Sequence, residues 1–307
     1  MRRKQPKPVH QLTHAEFESM FPDEDACRAY LVARRWPEGV RGPRCGNPAV
    51  YDLPSRKWHW QCEKCAPDGY RFSHTVGTIF ENTNKPLRDW FKVTHLMLVS
   101  KKGMSALQIF RYMGFGSYKT AWGMCHKIRT ALIEDHEKLL GGIVEVDETY
   151  IGGKDKNRHW DKKTHAGGRS VTENKVAVVG AVKRKGNVIA RVVEGVSRAV
   201  LEQFVNEAVS TRVSLLCTDE FRSYNRLRYR FNHEAVNHSA GKYVRQDVVG
   251  AIHTNTIEGF WSLIKRGMVG TFHKVSKKYL HLYVAEFQFR YNNRMNSDIF
   301  GTAMSGC

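Results

Sequence analysis

The stretch GGIVEVDETYIGGK, residues 141–154, decides which fold the second half of the chain adopts. Two valines, Val144 and Val146, alternate with acidic residues, and this period of two is that of a β-strand. An acidic side chain in mid-strand is costly unless it is solvated or bound to a ligand. Asp147 is therefore a candidate metal ligand, with a solvated edge-strand residue as the alternative. Glu145 shares its strand face, and we expect it to be solvated, with a spare metal ligand as the alternative.

The segments that follow continue an α/β pattern. Residues 175–195, KVAVVGAVKRKGNVIARVVEG, predict a β-hairpin that turns at KGN, and residues 200–210 have the apolar spacing of a helix. Residues 213–227, VSLLCTDEFRSYNRL, predict a buried strand that ends at Asp219 and leads into a helical turn. This order (three strands, a helix, a strand and a helix) is that of a ribonuclease H-like fold. In that fold the first strand, the fourth strand and a later helix each carry one acidic residue.

The later helix is predicted at HTNTIEGFWSLIKRG, residues 253–267. Its apolar residues share one face at helical spacing: Ile257, Phe260, Trp261 and Ile264. The opposite face carries the polar residues Asn255, Glu258, Ser262 and Lys265. Asn255 and Glu258 also fit an N-cap and N3 capping box, N-x-x-E. Glu258 is therefore either a helix-start device or a metal ligand, and whether Asn255 shares the metal stays open.

Three acids on these elements are expected to converge, although Asp219 alone could merely begin a turn. Hard oxygen ligands of this kind suit Mg²⁺ or Mn²⁺. Two such ions about 4 Å apart activate a water or a 3′-hydroxyl and stabilise the leaving oxygen in a phosphodiester displacement. Lys265, two helical turns after Glu258, is placed to steady a phosphate. The predicted metal ligands are Asp147, Asp219 and Glu258, and Asn255 and Lys265 complete the predicted catalytic set.

A basic loop, residues 153–175, separates the first two strands of this domain. A loop of this length in a compact domain is usually functional or disordered. Beside a catalytic site its cations would suit a DNA backbone, and the alternative is a solvated hairpin tip. The candidate DNA contacts are Lys154, Lys156, Arg158, Lys162 and Lys163.

Residues 1–84 are predicted to form an N-terminal helix and a degenerate zinc-ribbon-like module, which the pair Cys62-x-x-Cys65 indicates. Two such pairs on hairpin turns would form a tetrahedral zinc site. Here the first pair keeps only Cys45, because Gly42 stands where its partner would be. The ribbon either binds Zn²⁺ through Cys45, Cys62 and Cys65 or carries these three as free thiols.

Residues 85–140 predict a helical DNA-binding domain. Ser105 is a good N-cap for a helix from Ala106 to Met113, and Ser117 caps a second helix after the turn GFGS. This sequence of elements is the helix-turn-helix pattern, with an ordinary helical hairpin as the alternative. The candidate contacts to DNA bases or phosphates on the second helix are Tyr118, Lys119 and Lys127.

Charge and composition narrow the class of partner. The 307-residue chain has a formal net charge of +19 and a pI of about 9.7. Such an excess points to a polyanion, first of all nucleic acid, with scattered solvated lysines as the alternative. We expect no membrane span, and the basic N-terminus lacks the apolar region of a secretory signal. Seven cysteines do not look like a disulfide framework, so the cytoplasm is the expected location.

Nearly end to end, the chain resembles DDE-type transposases of prokaryotic insertion sequences. It is similar to the group that has an N-terminal zinc ribbon and helix-turn-helix and is related to eukaryotic Merlin elements. The resemblance is carried by FPDEDACRAYLVARRWPEG, WQCEKC, SYKTAWGMCHKIR, EVDETYIGGK, TDEFRSYN and HTNTIEGFWSLIKRG. It implies binding to terminal inverted repeats, Mg²⁺-dependent nicking at the transposon ends and joining of the freed 3′-hydroxyls to target DNA.

The resemblance also bears on single residues and on assembly. It matches Asp147 and Asp219 to the first two acids, and Lys265, seven residues after Glu258, favours Glu258 over Asn255 as the third ligand. It implies a catalytic domain over residues 141–307 and at least a dimer on double-stranded DNA, at the bacterial or archaeal nucleoid. Two alternatives are an immobile or decayed copy that only binds DNA, and a ribonuclease H-like nuclease or resolvase.

Overall fold

The computed structural model describes residues 12–65, 69–135, 139–153, 175–236, 245–246 and 251–307. The chain divides into two compact units. The first consists of Met1–Ile133 and Asn293–Cys307, and the second of Glu134–Asn292.

Helices and strands occur in groups along the described chain. The α-helices are α1 (His14–Met20), α2 (Glu24–Arg35), α3 (Leu87–Val99), α4 (Ala106–Met113), α5 (Tyr118–Ala131), α6 (Arg198–Ala208), α7 (Asn255–Gly267), α8 (Leu280–Asn292) and α9 (Ile299–Ser305). The strands are β1 (Tyr51–Asp52), β2 (His59–Cys62), β3 (Tyr70–Ser73), β4 (Ile143–Gly152), β5 (Lys175–Lys183), β6 (Val188–Val193), β7 (Leu215–Asp219), β8 (His233–Val236), β9 (Arg245–Gln246) and β10 (Ala251–Ile252). Short 3₁₀ helices lie at Arg222–Tyr229 and Lys277–Tyr279, and a π-helical turn lies at Met268–Phe272.

The helix pair α4 and α5 in the first unit begins where its sequence predicts. Ser105 accepts a hydrogen bond from the Gln108 amide at 3.2 Å and forms a capping box with Gln108. Gly114, with φ of 63°, ends α4 in the left-handed conformation that favours glycine. Ser117 then accepts from the Lys119 amide at 3.2 Å and caps α5. Both predicted caps are confirmed.

The C-terminal helix α9 belongs to the first unit. The ring of Phe300 packs against those of Phe17, Phe21 and Phe91, with centroids 5.5 to 6.2 Å apart. The segment Asn293–Cys307 therefore lies in the first unit, whereas the division predicted from the sequence assigns the whole of 141–307 to one domain. The physical reason is that its apolar side chains complete an aromatic core formed by N-terminal residues.

The second unit is built on a five-stranded sheet with the order β6-β5-β4-β7-β8. β5 is antiparallel to both β4 and β6, whereas β7 runs parallel to β4 and to β8. The predicted hairpin, helix and buried strand correspond to β5 and β6, α6, and β7. The sequence does not predict β8, because only Val236 of its four residues is buried and no apolar alternation marks it.

Apolar side chains cover both faces of this sheet. On one face Val144 packs in a core that includes Leu201 of α6. On the other face Val178 packs in a core that includes Ile257 of α7 and Phe287 of α8. Burial on both faces explains why β5 reads as a nearly continuous apolar run.

Candidate active site

The two aspartates predicted as ligands lie at adjoining positions of two parallel strands. β4 pairs with β7 from Ile143 to Glu145, and Glu145 is opposite Cys217. Asp147 and Asp219 each follow that last pair by two residues. Because parallel strands keep the same direction, the two carboxylates emerge side by side where the pairing ends.

A third carboxylate joins them from the strand itself. Ligand oxygens of Asp147, Glu148 and Asp219 all lie within 4.8 Å of one another. The sequence marks Glu148 only as a neighbouring acid, since alternation alone would send it to the opposite face of the strand. Here the hydroxyl of Tyr224 donates to Glu148 Oε2 at 2.8 Å, and the Phe221 amide donates to Asp219 Oδ1 at 3.1 Å. The 3₁₀ helix after β7 thus helps to orient two of the three acids.

The electrostatics of this cluster favour a bound cation. Burial, together with the neighbouring charges of Glu148 and Asp219, raises the pKa of Asp147 to about 7. A hydrogen bond from Trp261 opposes part of this rise. Burial and the Glu148 carboxylate also raise the pKa of Tyr224. A divalent cation would relieve the repulsion among the three carboxylates, and their hard oxygens suit Mg²⁺ or Mn²⁺.

Helix α7 presents the two faces that its sequence predicts. Ile257, Phe260, Trp261 and Ile264 are buried, whereas Asn255, Glu258 and Lys265 are exposed. Glu258 is not a member of the group formed by Asp147, Glu148 and Asp219 within the described residues. Its Oε1 accepts a hydrogen bond from the Thr254 hydroxyl at 2.9 Å.

The capping box predicted for α7 is wrong. Thr254, not Asn255, is the N-cap, and its side chain makes no capping hydrogen bond to the helix amides. Asn255 is the first residue of the helix. The backbone of Thr254, with φ −119° and ψ 15°, lacks the extended conformation that aims an N-cap side chain at the second and third amides.

The prediction that Glu145 is solvated is also wrong. Its side chain is 0% exposed and forms an ion pair with Arg184 at 2.6 Å. It accepts hydrogen bonds from the backbone amides of Thr256 and Ile257 at 2.7 and 3.1 Å. The carboxylate therefore accepts hydrogen bonds from two helix amides that the Thr254 side chain does not cap.

A glycine opposite Asp147 brings α7 close to the strand. Gly180 of β5 is paired with Asp147, and a Cβ at Gly180 would lie 2.7 Å from the Trp261 ring. The missing side chain lets the indole lie over the sheet, where its Nε1 donates to Asp147 Oδ2 at 3.1 Å. A glycine inside the valine-rich run KVAVVGAVK is the sequence signal for this close approach.

The three cysteines of the first unit also converge. Cys45 Sγ lies 3.5 Å from Cys62 Sγ and 3.3 Å from Cys65 Sγ. A Cβ built on Gly42 would lie 2.6 Å from Cys62 Sγ and 2.9 Å from Cys45 Sγ, so Gly42 faces the cluster. No fourth histidine, cysteine or carboxylate joins the three sulfurs among residues 12–65 and 69–135. The donor set fits three of the four bonds of a tetrahedral Zn²⁺ ion.

The structure describes three of the predicted DNA-contacting residues, all of them on α5. Tyr118 is 48% exposed at the start of α5, and Lys119 beside it is exposed. Lys127 is exposed too, but its Nζ donates to the Ile79 carbonyl at 3.2 Å. The predicted contacts that lie outside the described residues are Lys154, Lys156, Arg158, Lys162 and Lys163.

Comparison of the sequence with known protein families identifies the class of protein to which this site belongs. Residues 139–292 match the family model of an ISXO2-like transposase domain, and residues 22–67 match that of a transposase zinc-ribbon domain. The two matches define a transposase with an N-terminal zinc-ribbon domain, a class whose partner is DNA. The first match spans half of the chain, and the chain belongs to the ISXO2-like transposase family.

Two relatives agree with this family. An uncharacterized protein in transposable element ISH50 of Halobacterium salinarum is 28% identical over 283 residues, which cover 88% of this chain and 91% of the relative. An uncharacterized transposase-like protein of Haemophilus influenzae is 33% identical over 110 residues, 36% of this chain and 84% of the relative. Within the described ranges, no helix combines the length and apolarity needed to cross a membrane.

Proposed function

We propose that this protein is a DDE transposase that binds the terminal inverted repeats of its element, nicks the DNA ends and joins the 3′-hydroxyls to target DNA. The observation that carries the proposal is the placement of Asp147 and Asp219 at adjoining positions of two parallel strands. The strand order with β4 in the centre supports a ribonuclease H-like fold for the catalytic domain.

The proposed metal site takes Mg²⁺ or Mn²⁺, two ions in the active complex. Bound metal would activate the attacking oxygen and stabilise the leaving 3′ oxygen of the phosphodiester. Asp147 and Asp219 would be two of the ligands, and either Glu258 on α7 or Glu148 on β4 would supply the third carboxylate. Asn255 lies beside Glu258 in the first turn of α7, and the exposed Lys265 binds a phosphate of the DNA.

DNA binding is proposed for the first unit and for the basic loop. The caps of α4 and α5 support a helix-turn-helix, in which the exposed Tyr118 and Lys119 begin the recognition helix. The net charge of +19 supports contacts to the phosphate backbone, including contacts from loop 153–175. Synapsis of two ends requires at least two protein copies on double-stranded DNA.

Zinc binding is proposed for the ribbon, with Cys45, Cys62 and Cys65 as the protein ligands. The convergence of three sulfurs supports this proposal. An incomplete ligand set predicts weaker binding than a closed four-cysteine site, because one of the four metal–sulfur bonds is missing.

The test uses purified full-length protein and labelled DNA that carries the ends of its own element. Wild-type protein with Mg²⁺ is expected to nick these ends and join them to a second DNA, whereas Asp147→Ala and Asp219→Ala are expected to do neither. The control is Glu194→Gln, which changes an exposed acid of the same unit. Equal activity of wild type and both aspartate variants would refute the proposal. A parallel comparison of Glu258→Gln, Glu148→Gln and Asn255→Ala identifies the third ligand.

A further inference from the structure

Glu145 is a buried charge that the proposed catalysis does not use. It lies on β4 two residues before Asp147 and is fully buried. A buried carboxylate is costly unless hydrogen bonds and an opposite charge compensate for the lost solvation. The contacts of Glu145 therefore indicate what the charge does in this fold.

Both carboxylate oxygens are occupied, and most of the donors come from the start of α7. Oε2 accepts from the amides of Thr256 and Ile257 at 2.7 and 3.1 Å. Oε1 accepts from the Thr256 hydroxyl at 2.8 Å and from Arg184 Nε at 2.6 Å. These two amides are the second and third of the helix, the ones that an N-cap side chain normally satisfies. Glu145 thus caps α7 from a strand more than a hundred residues away in sequence.

Arg184 holds the chain on the other side of the same helix start. Its guanidinium donates to the backbone carbonyls of Ala251 and His253, the latter at 3.0 Å. Nδ1 of His253 also lies 3.1 Å from Glu145 Oε1. The ion pair therefore binds carbonyls before α7 and amides within its first turn. Together Glu145 and Arg184 form a clamp, the Glu145–Arg184 clamp, on the entry to the helix.

A second attachment joins the same helix to the same strand. Trp261 Nε1 donates to Asp147 Oδ2 at 3.1 Å. Two residues along a strand span about 6.6 Å, and the four residues from Ile257 to Trp261 span about 6 Å along a helix. The spacing between the clamp and the indole bond is therefore nearly the same along the strand and along the helix. Two attachments at matching spacing set both the position and the rotation of α7 against Asp147.

We propose that Glu145 and Arg184 are positioning residues, which hold α7 so that its polar face is aligned with Asp147 and Asp219 for metal binding. This inference rests on the proposed function, in the form in which Glu258 on α7 supplies the third carboxylate. Glu145 itself binds no metal, because its two oxygens are used by α7 and Arg184. The specific consequence is that loss of the clamp weakens metal binding without removing any ligand.

The experiment compares Glu145→Gln with the control Glu286→Gln in full-length protein. Glu286 is also fully buried in the second unit and is 3.4 Å from Arg290, but it lies on α8. Hydrogen exchange is followed in peptides that contain Thr256 and Ile257, and Mn²⁺ affinity is followed by calorimetry. Glu145→Gln is expected to speed exchange in the first turn of α7 about fivefold, the effect of losing a cap. It is expected to weaken Mn²⁺ binding about 10- to 100-fold, as for other residues that orient metal ligands.

The control separates positioning from general stability. Glu286→Gln is expected to lower thermal stability while exchange at the start of α7 and Mn²⁺ affinity stay at wild-type values. If Glu145→Gln does not fold, Arg184→Lys is used, since it keeps the charge but cannot bind both carbonyls. Faster exchange with unchanged Mn²⁺ affinity would show a cap that positions nothing, and unchanged exchange would show no clamp. Either result overturns the inference.

Failure of the proposed function has a different signature. Wild-type protein that binds no Mn²⁺, with no change on Asp147→Asn, would refute the metal site and with it the positioning role. In that case faster exchange in Glu145→Gln would still show that the clamp holds α7, so the two failures are distinguishable.

Discussion

Replacing Asp147 with asparagine is expected to stabilise the metal-free protein while it abolishes metal-dependent cleavage. In the folded protein the pKa of Asp147 is about 7, against an ordinary value of 3.8. The folded state therefore holds this proton more tightly than the unfolded state, and stability falls as pH rises from about 4 to about 7. Asparagine has no charge to bury, and its amide oxygen can still accept from Trp261.

The magnitude follows from the size of the pKa shift. A rise of about three pKa units corresponds to about 4 kcal/mol at pH 8, where the folded wild type must ionise Asp147. At pH 5 the loss of folding free energy caused by Asp147 falls to about 2 kcal/mol, because the residue is still protonated in the folded state. Asp147→Asn is thus expected to gain up to about 4 kcal/mol over wild type at pH 8, and about half of that at pH 5.

The assay is denaturation in EDTA at pH 5 and pH 8, followed by a signal from the second unit. Glu194→Gln, which removes an exposed carboxylate of the same unit, serves as the control and is expected to match wild type. Added Mg²⁺ is expected to stabilise wild type but not Asp147→Asn, because only the folded wild type binds it. An Asp147→Asn variant that is no more stable than wild type at pH 8, or whose advantage is the same at pH 5, would refute the reasoning.

Three further predictions concern the ribbon, the close approach of α7 and DNA binding. Gly42→Cys is expected to raise Zn²⁺ affinity at least tenfold in a chelator competition, since it completes a four-sulfur site. Gly116→Cys, outside the cluster and with open space around its Cβ, is the control, and equal affinities of the two variants would contradict the proposed site. Gly180→Ala is expected to cost about 1–3 kcal/mol in urea denaturation and to slow cleavage, because its Cβ would push Trp261 away; wild-type stability would show that the ring moves freely. Lys119→Gln is expected to weaken binding to all DNA sequences alike and to reduce the salt dependence by about one phosphate contact in a fluorescence titration, and a variant with an unchanged salt slope would place Lys119 away from the DNA.

Local sequence was enough to predict most elements and the strand positions of Asp147 and Asp219. Caps such as Ser105 and Ser117 act on amides two or three residues away, so a short window contains the whole interaction. The alternation around Asp147 and the end of the buried strand at Asp219 are equally local. The two faces of α7 follow from helical spacing, and the burial of Ile257 and its neighbours confirms them.

The roles of two acids near the site depend on residues that are distant in sequence. Glu145 and Glu148 are ordinary mid-strand acids in the sequence, with nothing nearby to indicate a partner. Their partners, Thr256 and Tyr224, are 111 and 76 residues away. The capping box at Asn255 was a reasonable prediction that failed because a carboxylate from β4 reaches the helix amides instead.

The sequence by itself determined the kinds of elements, their order, the basic charge and the strand positions of Asp147 and Asp219, because periodicity and capping act over a few residues. Only the tertiary structure decided that Glu148 joins those two aspartates, that Glu145 and Arg184 hold the start of α7, and that α9 completes the core of the first unit. These outcomes depend on which distant surfaces pack together. A buried charge takes whatever donors the packing brings to it, and no short window of sequence contains them.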